Sequence, residues 1–148
     1  MRYAALDIGD KRIGVALSDA SGRVASPYSV IDTHHLLSNG ADLRHILEDY
    51  EVKHLVIGLP LTLSGEEGSQ ARHVKVLADK ILKACNYLAD DESAVGNDRI
   101  TFYDERLSSV AAKQSLANAD YSEKQMRGKV DKIAAALFLQ SFLDTQCL

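Results

Sequence analysis

The stretch HLVIGLP, residues 54–60, limits the fold more than any other part of the chain. It is too short for a helix that packs alone, and after His54 it has no polar side to show to water. Such a run reads as a strand buried on both faces, the kind found inside a parallel sheet. Gly58 and Pro60 are expected to end it. A strand of this kind needs helices above and below it.

The flanking sequence supplies the remaining layers. Tyr3 to Ile8 and Ile13 to Ser18 read as strands joined through Gly9 and Asp10, and a third strand runs from about Arg23 to Ile31. From Asn39 or Asp42 the period becomes helical, with Leu43, Ile46, Leu47 and Tyr50 at spacings of three and four. His34 and His35 fall in a polar connection with no partner at ligand spacing. After HLVIGLP come a loop, LTLSGEEGS, and a helix with Val74, Leu77, Ile81 and Leu82 on one side. NYLADDESAVGND, about residues 86–98, reads as a solvated acidic connection, and RITFYDE as the last strand. LSSVAAKQSLANA is expected to be a helix capped by Ser108 or Ser109. A last helix, about Lys129 to Leu143, is apolar nearly all round and should be buried. The expected architecture is α/β: a mixed five-stranded sheet, a three-strand antiparallel meander plus two parallel strands, flanked by helices.

With 148 residues the chain fits one domain, long enough to remove roughly 70% of its unfolded surface from water. That makes a cofactor or disulfide unnecessary for stability. Cys85 and Cys147 are too few and too far apart for a zinc pattern and are expected as free thiols. No apolar stretch approaches the roughly 18 residues of a membrane span, and MRYAALD does not resemble a signal peptide, so a cytoplasmic protein is expected. The net charge of −4 argues against coating nucleic acid with the whole surface, while leaving room for a local basic patch.

In a sheet of this kind ligands bind beyond the carboxyl ends of the strands, so acids at strand ends are the residues to weigh. Asp7 closes the first strand, Asp104-Glu105 closes the last, and Asp131 stands near the start of the final helix. Each also has a structural reading. Asp7 suits a turn, Glu105 suits a surface pair with Arg106 or Lys113, and Asp131 suits the positive end of a helix dipole. Brought together, carboxylates about 4 Å apart repel by roughly 4 kcal/mol at an effective dielectric near 20. A cluster of three therefore requires a cation or a raised pKa, and hard oxygen donors favour Mg²⁺ or Mn²⁺ over Zn²⁺. Lys11-Arg12 reads either as turn charges or as a phosphate contact.

Four segments, ALDIGDKRIGVALSD, VIGLPLTLSGEEGSQA, FYDERLSS and KVDKIAAALFLQSFLD, taken in order, resemble the YqgF family, also called RuvX, of Holliday-junction resolvases and ribosomal-RNA maturation nucleases. The resemblance runs nearly end to end. An Asp-x-Gly after a strand also opens the phosphate loop of actin-like kinases, but those enzymes need a second domain that 148 residues do not contain.

The resemblance implies a ribonuclease H-like nuclease domain over residues 1–148. It also implies that Asp7, Glu105 and Asp131 are the catalytic acids and the ligands of Mg²⁺ or Mn²⁺. Strand alternation alone leaves Asp104 and Glu105 open, and the family's motif selects Glu105. Lys11, Arg12 and Arg106 are the candidate phosphate contacts, the arginines because a guanidinium fork matches phosphate oxygens. Lys113, Lys124, Arg127, Lys129 and Lys132 are expected to add a basic rim. The implied activity is metal-dependent hydrolysis of phosphodiester bonds in structured nucleic acid, foremost the 5′-end processing of precursor 16S rRNA in ribosome biogenesis. Holliday-junction resolution and a catalytically silent nucleic-acid-binding domain are the alternatives. The implied partners are structured RNA or branched DNA and ribosomal precursor particles, met by a monomer or weak homodimer.

Overall fold

The computed structural model describes residues 1–107 and 130–146, with the side chains of Leu107 and of residues 130–132 left aside. Strands β1 (Tyr3–Ile8), β2 (Arg12–Ser18) and β3 (Ala25–Asp32) are followed by helices α1 (Thr33–Ser38) and α2 (Ala41–Asp49). Strand β4 (His54–Leu59), helix α3 (Ser69–Ala84), strand β5 (Ile100–Asp104), a 3₁₀ turn (Glu105–Leu107) and helix α4 (Val130–Gln146) complete the described order. The sheet order is β3-β2-β1-β4-β5, with β1-β2 and β2-β3 antiparallel and β1-β4 and β4-β5 parallel. This is the expected meander plus two parallel strands, with β4 in the interior where its composition requires it.

Alternation along the strands divides the core in two. Leu6, Ile8, Ile13, Val15, Leu55 and Ile57 face the layer of α1, α2 and α3, whose Leu36, Leu43, Val74, Ile81 and Leu82 pack onto them. Ala5, Ala16, Ala25 and Val56 face α4 through Ala135, Phe138, Leu139, Phe142 and Leu143. The alanines on the second face let one helix lie close to the sheet, which is why α4 is buried on most of its circumference.

Several boundaries differ from expectation, each for a local reason. β3 begins at Ala25 rather than Arg23, because the Asp19 carboxylate takes the amides of Arg23 and Val24 at 2.8 and 3.0 Å and holds them in a turn. The Ala25 amide then bonds Gln140 Oε1 of α4 at 2.8 Å. β2 starts one residue early, at Arg12, whose backbone pairs with Asp32. The connection holding His34 and His35 forms α1, capped by Asp32 through the His35 amide at 2.9 Å and anchored by buried Leu36; both histidines stay exposed. The acidic connection before β5 is not simply solvated. Leu88 and Ala94 are buried, and Asp79 of α3 accepts from the Ala94 amide at 2.6 Å. Gly58 lies inside β4 and does not end it. The expected helix beyond Leu107, with Ser108, Ser109 and Lys113, and also Lys124, Arg127, Lys129 and Cys147, lie outside the described residues. Among the described residues no helix is long and apolar enough to cross a membrane.

Candidate active site

β1, β4 and β5 run parallel as neighbours, so their carboxyl ends share one edge of the sheet. Register places Leu6 beside Ile57 and Gly58 beside Tyr103, and Asp7 therefore falls level with Gly58. Residues level with one another in a sheet share a face, and Glu105 is two residues past Tyr103. Asp7 and Glu105 thus come from two strands separated by one, on the face that α4 covers.

The two carboxyl groups meet, half-buried, across the space over Gly58. A Cβ on Gly58 would lie 2.5 Å from Glu105 Oε1, 2.9 Å from Glu105 Cγ and 2.7 Å from Phe138 Cε2. Only a glycine leaves room there for the carboxylate and the ring together. Burial, then the charge and hydrogen bond of Asp7, then the charge of Asp104, push the Glu105 carboxyl up to about 7. Two acids held in this way share a proton near neutral pH or gather a cation in its place.

Asp131 lies in the first turn of α4, and its side chain is outside the described residues. The helix runs against β1 and β4: Phe138 sits at Gly58, near the end of β4, and the Phe142 ring is 5.7 Å from that of Tyr3, at the start of β1. The first turn of α4 therefore lies toward the carboxyl edge, about 10 Å of helix before Phe138. Among the described residues no three acids, histidines or cysteines come together as a metal cluster.

Lys11 and Arg12 are exposed on and beside the β1-β2 turn. That turn is fixed from three sides. The Gly9 amide bonds the Arg12 carbonyl at 2.9 Å, buried Thr33 gives its hydroxyl to the Gly9 carbonyl at 2.7 Å and its amide to the Lys11 carbonyl at 3.0 Å, and His73 of α3 bonds Asp10. Arg106 is bonded within the chain. Its Nε and Nη2 grip the Asp104 carboxylate, with Nη2 to Oδ2 at 2.7 Å, and its Nη1 donates to the carbonyls of Thr62 and Leu63 at 3.2 Å each. This pairing holds the Asp104 carboxyl below its ordinary range. Lys132 stands in α4 with its side chain outside the described residues.

Sequence reasoning did not give Gly58, Thr33 or His73 a part in the site. A glycine inside a wholly apolar strand is a signal of close approach, so Gly58 was open to detection. Thr33 and His73 carry no such mark, because their partners are 24 and 63 residues away.

A family model described as RuvX, Holliday junction resolvase, matches residues 1–145. A relative from Chloroflexus aurantiacus is 37% identical over 96% of this chain and 86% of its own length, and one from Roseiflexus sp. is 38% identical over 98% and 95%. A third, from Thermosynechococcus vestitus, is 40% identical over 95% and 86%. All three bear the name of candidate pre-16S rRNA nucleases. Among solved structures, T. thermophilus RuvC in complex with a Holliday junction substrate superposes with a TM-score of 0.54 over 99% of this chain and 96% of that one, at 14% identity. Fowlpox virus resolvase with its Holliday junction DNA gives 0.52 over 100% of both chains, also at 14%. At such identity the match is one of fold, and the fold is ribonuclease H-like.

Proposed function

The chain belongs to the RuvX family, and on that premise we propose that it is a divalent-metal-dependent nuclease acting on structured nucleic acid, with precursor 16S rRNA as the first substrate. The observation that carries this reading is the Asp7–Glu105 pair, held half-buried over Gly58 at the carboxyl edge of the sheet. Two carboxylates pressed together suit a hard dication, and they suit Mg²⁺ or Mn²⁺ better than the softer metals that seek histidine or cysteine. Asp7 and Glu105 would hold the ion, joined by Asp131 from the first turn of α4. Bound there, the ion supplies Lewis acidity to a phosphoryl oxygen and a readily ionised water.

The chain's own residues do the rest. Asp7 and Glu105 would give up their shared proton in favour of a bound dication, and Glu105 lies over Gly58 beside the Phe138 ring, where a glycine leaves it room. Lys11 and Arg12, on a turn fixed by Thr33 and His73, meet the phosphate backbone and set the register of the strand to be cut. The names of the relatives favour precursor 16S rRNA. The reading extends to ribosomal precursor particles in the cytoplasm as the place of action and to a monomer or weak homodimer as the acting form. Four-way junction DNA is the second reading, favoured by the description of the family model.

Purified protein with Mg²⁺ or Mn²⁺ is expected to cut the 5′ leader of precursor 16S rRNA, and Asp7→Asn to abolish the cut. No cleavage of either precursor RNA or a four-way junction would refute the nuclease. Full activity in Asp7→Asn would refute the site.

A further inference from the structure

Arg106 lies one residue from Glu105, yet its guanidinium is turned onto protein acceptors. Asp104 takes its Nε and Nη2, and the carbonyls of Thr62 and Leu63 take its Nη1. The turn that offers those carbonyls is closed on itself. The Gly65 amide bonds the Thr62 carbonyl at 2.9 Å, the Thr62 amide bonds the Glu66 carbonyl at 3.0 Å, and the Glu66 amide bonds Thr62 Oγ1 at 3.2 Å. Gly65 lets the turn reach the guanidinium: its φ is +87°, and a Cβ there would lie 3.2 Å from Arg106 Nη2. Both chain neighbours of Glu105 are therefore bonded, one to the other, and one of them to the loop that leaves β4. The positive charge is paired with Asp104 at contact distance, in a charge-assisted fork.

We propose that Arg106 is a positioning residue: with Asp104 it clasps the end of β5 to the Thr62–Gly65 turn, and the clasp keeps the Glu105 carboxylate over Gly58 against Asp7. The role requires the fork of arginine, since two carbonyls and a carboxylate are held at once by one planar group. It rests on the nuclease reading, because it assigns the clasp to the geometry of that site.

The test uses the full chain and the variants Arg106→Ala, Arg106→Lys and Asp104→Asn. In protein free of metal and substrate, amide exchange at Gly65 and Glu66 is expected to quicken in all three. With Mn²⁺ and precursor RNA or a four-way junction, kcat is expected to fall about tenfold to a hundredfold with KM little changed, the scale of loss for a misplaced catalytic group. Arg106→Lys is expected to fall with Arg106→Ala, and Arg106→Ala/Asp104→Asn to be no worse than either single change. The slope of log affinity against log salt is expected to stay at the wild-type value. A slope reduced by about 0.7–0.9 in Arg106→Ala, the mark of one lost phosphate contact, would overturn the clasp. So would rescue by lysine, or wild-type exchange at Gly65 and Glu66. Wild-type protein that cleaves neither substrate refutes the nuclease reading and the catalytic part of the clasp together, whereas normal cleavage by wild type and all variants refutes the clasp alone.

Discussion

Glu105 is the residue on which the chemistry can be measured without any substrate. Its carboxyl is raised from 4.5 to about 7 by burial and by Asp7, so the folded chain holds that proton more tightly than the unfolded chain. Stability from this group is fully present below about 4.5 and is lost as pH rises through about 7. Urea midpoints of metal-free protein should therefore fall from pH 5 to pH 8 more steeply in wild type than in Glu105→Gln; equal slopes would remove the pairing. The same proton competes with a dication, so Mn²⁺ affinity is expected to drop by about tenfold per pH unit below 7, read by titration calorimetry. Gly58 gives a second test at this scale. Gly58→Ala forces a methyl against Glu105 and Phe138 and is expected to cost about 1–3 kcal/mol and to abolish cleavage. Gly40→Ala also clashes, with the Ala84 carbonyl 2.4 Å from the added Cβ, but at the end of α3, in the layer on the other face of the sheet from the acids. It should lower the urea midpoint while each folded molecule keeps its activity.

At the level of elements, α4 decides where the two halves of the site meet. It crosses the face built from Ala5, Ala16 and Val56, and its tilt is held at the far edge by Gln140, which bonds the Arg23 carbonyl at 2.9 Å and the Ala25 amide at 2.8 Å. Gln140→Leu keeps the bulk but leaves the Ala25 amide unpaired. It is expected to cost about 1–3 kcal/mol in urea unfolding, with cleavage reduced but not abolished, since the helix stays packed through Phe138 and Leu139. The apolar character of this helix was legible in its sequence, and so was the burial of β4. The short helix α1 was not. It owes its existence to one cap at Asp32 and to the pocket that receives Leu36, and neither leaves a periodic trace in six residues.

Over the whole molecule the net charge is −4, so attraction to nucleic acid must be local. The double variant Lys11→Ala/Arg12→Ala is expected to lower the slope of log affinity against log salt by up to about 1.5–1.8, two phosphate contacts at 0.7–0.9 each, for RNA and junction alike. An unchanged slope would take the β1-β2 turn out of the interface. The sequence by itself determined the mixed sheet, the interior place of β4, the helical cover and the three acids to be weighed, because burial on one or two faces imposes a period that neighbouring residues must obey. It also left Asp7 open between turn and catalyst, and Asp104 level with Glu105. Tertiary structure alone decided that Asp7 and Glu105 press together over Gly58 while Arg106 turns away onto Asp104 and two carbonyls. Those contacts join residues up to 98 positions apart in the chain, and a contact of that range depends on strand register and helix placement, which no local pattern encodes.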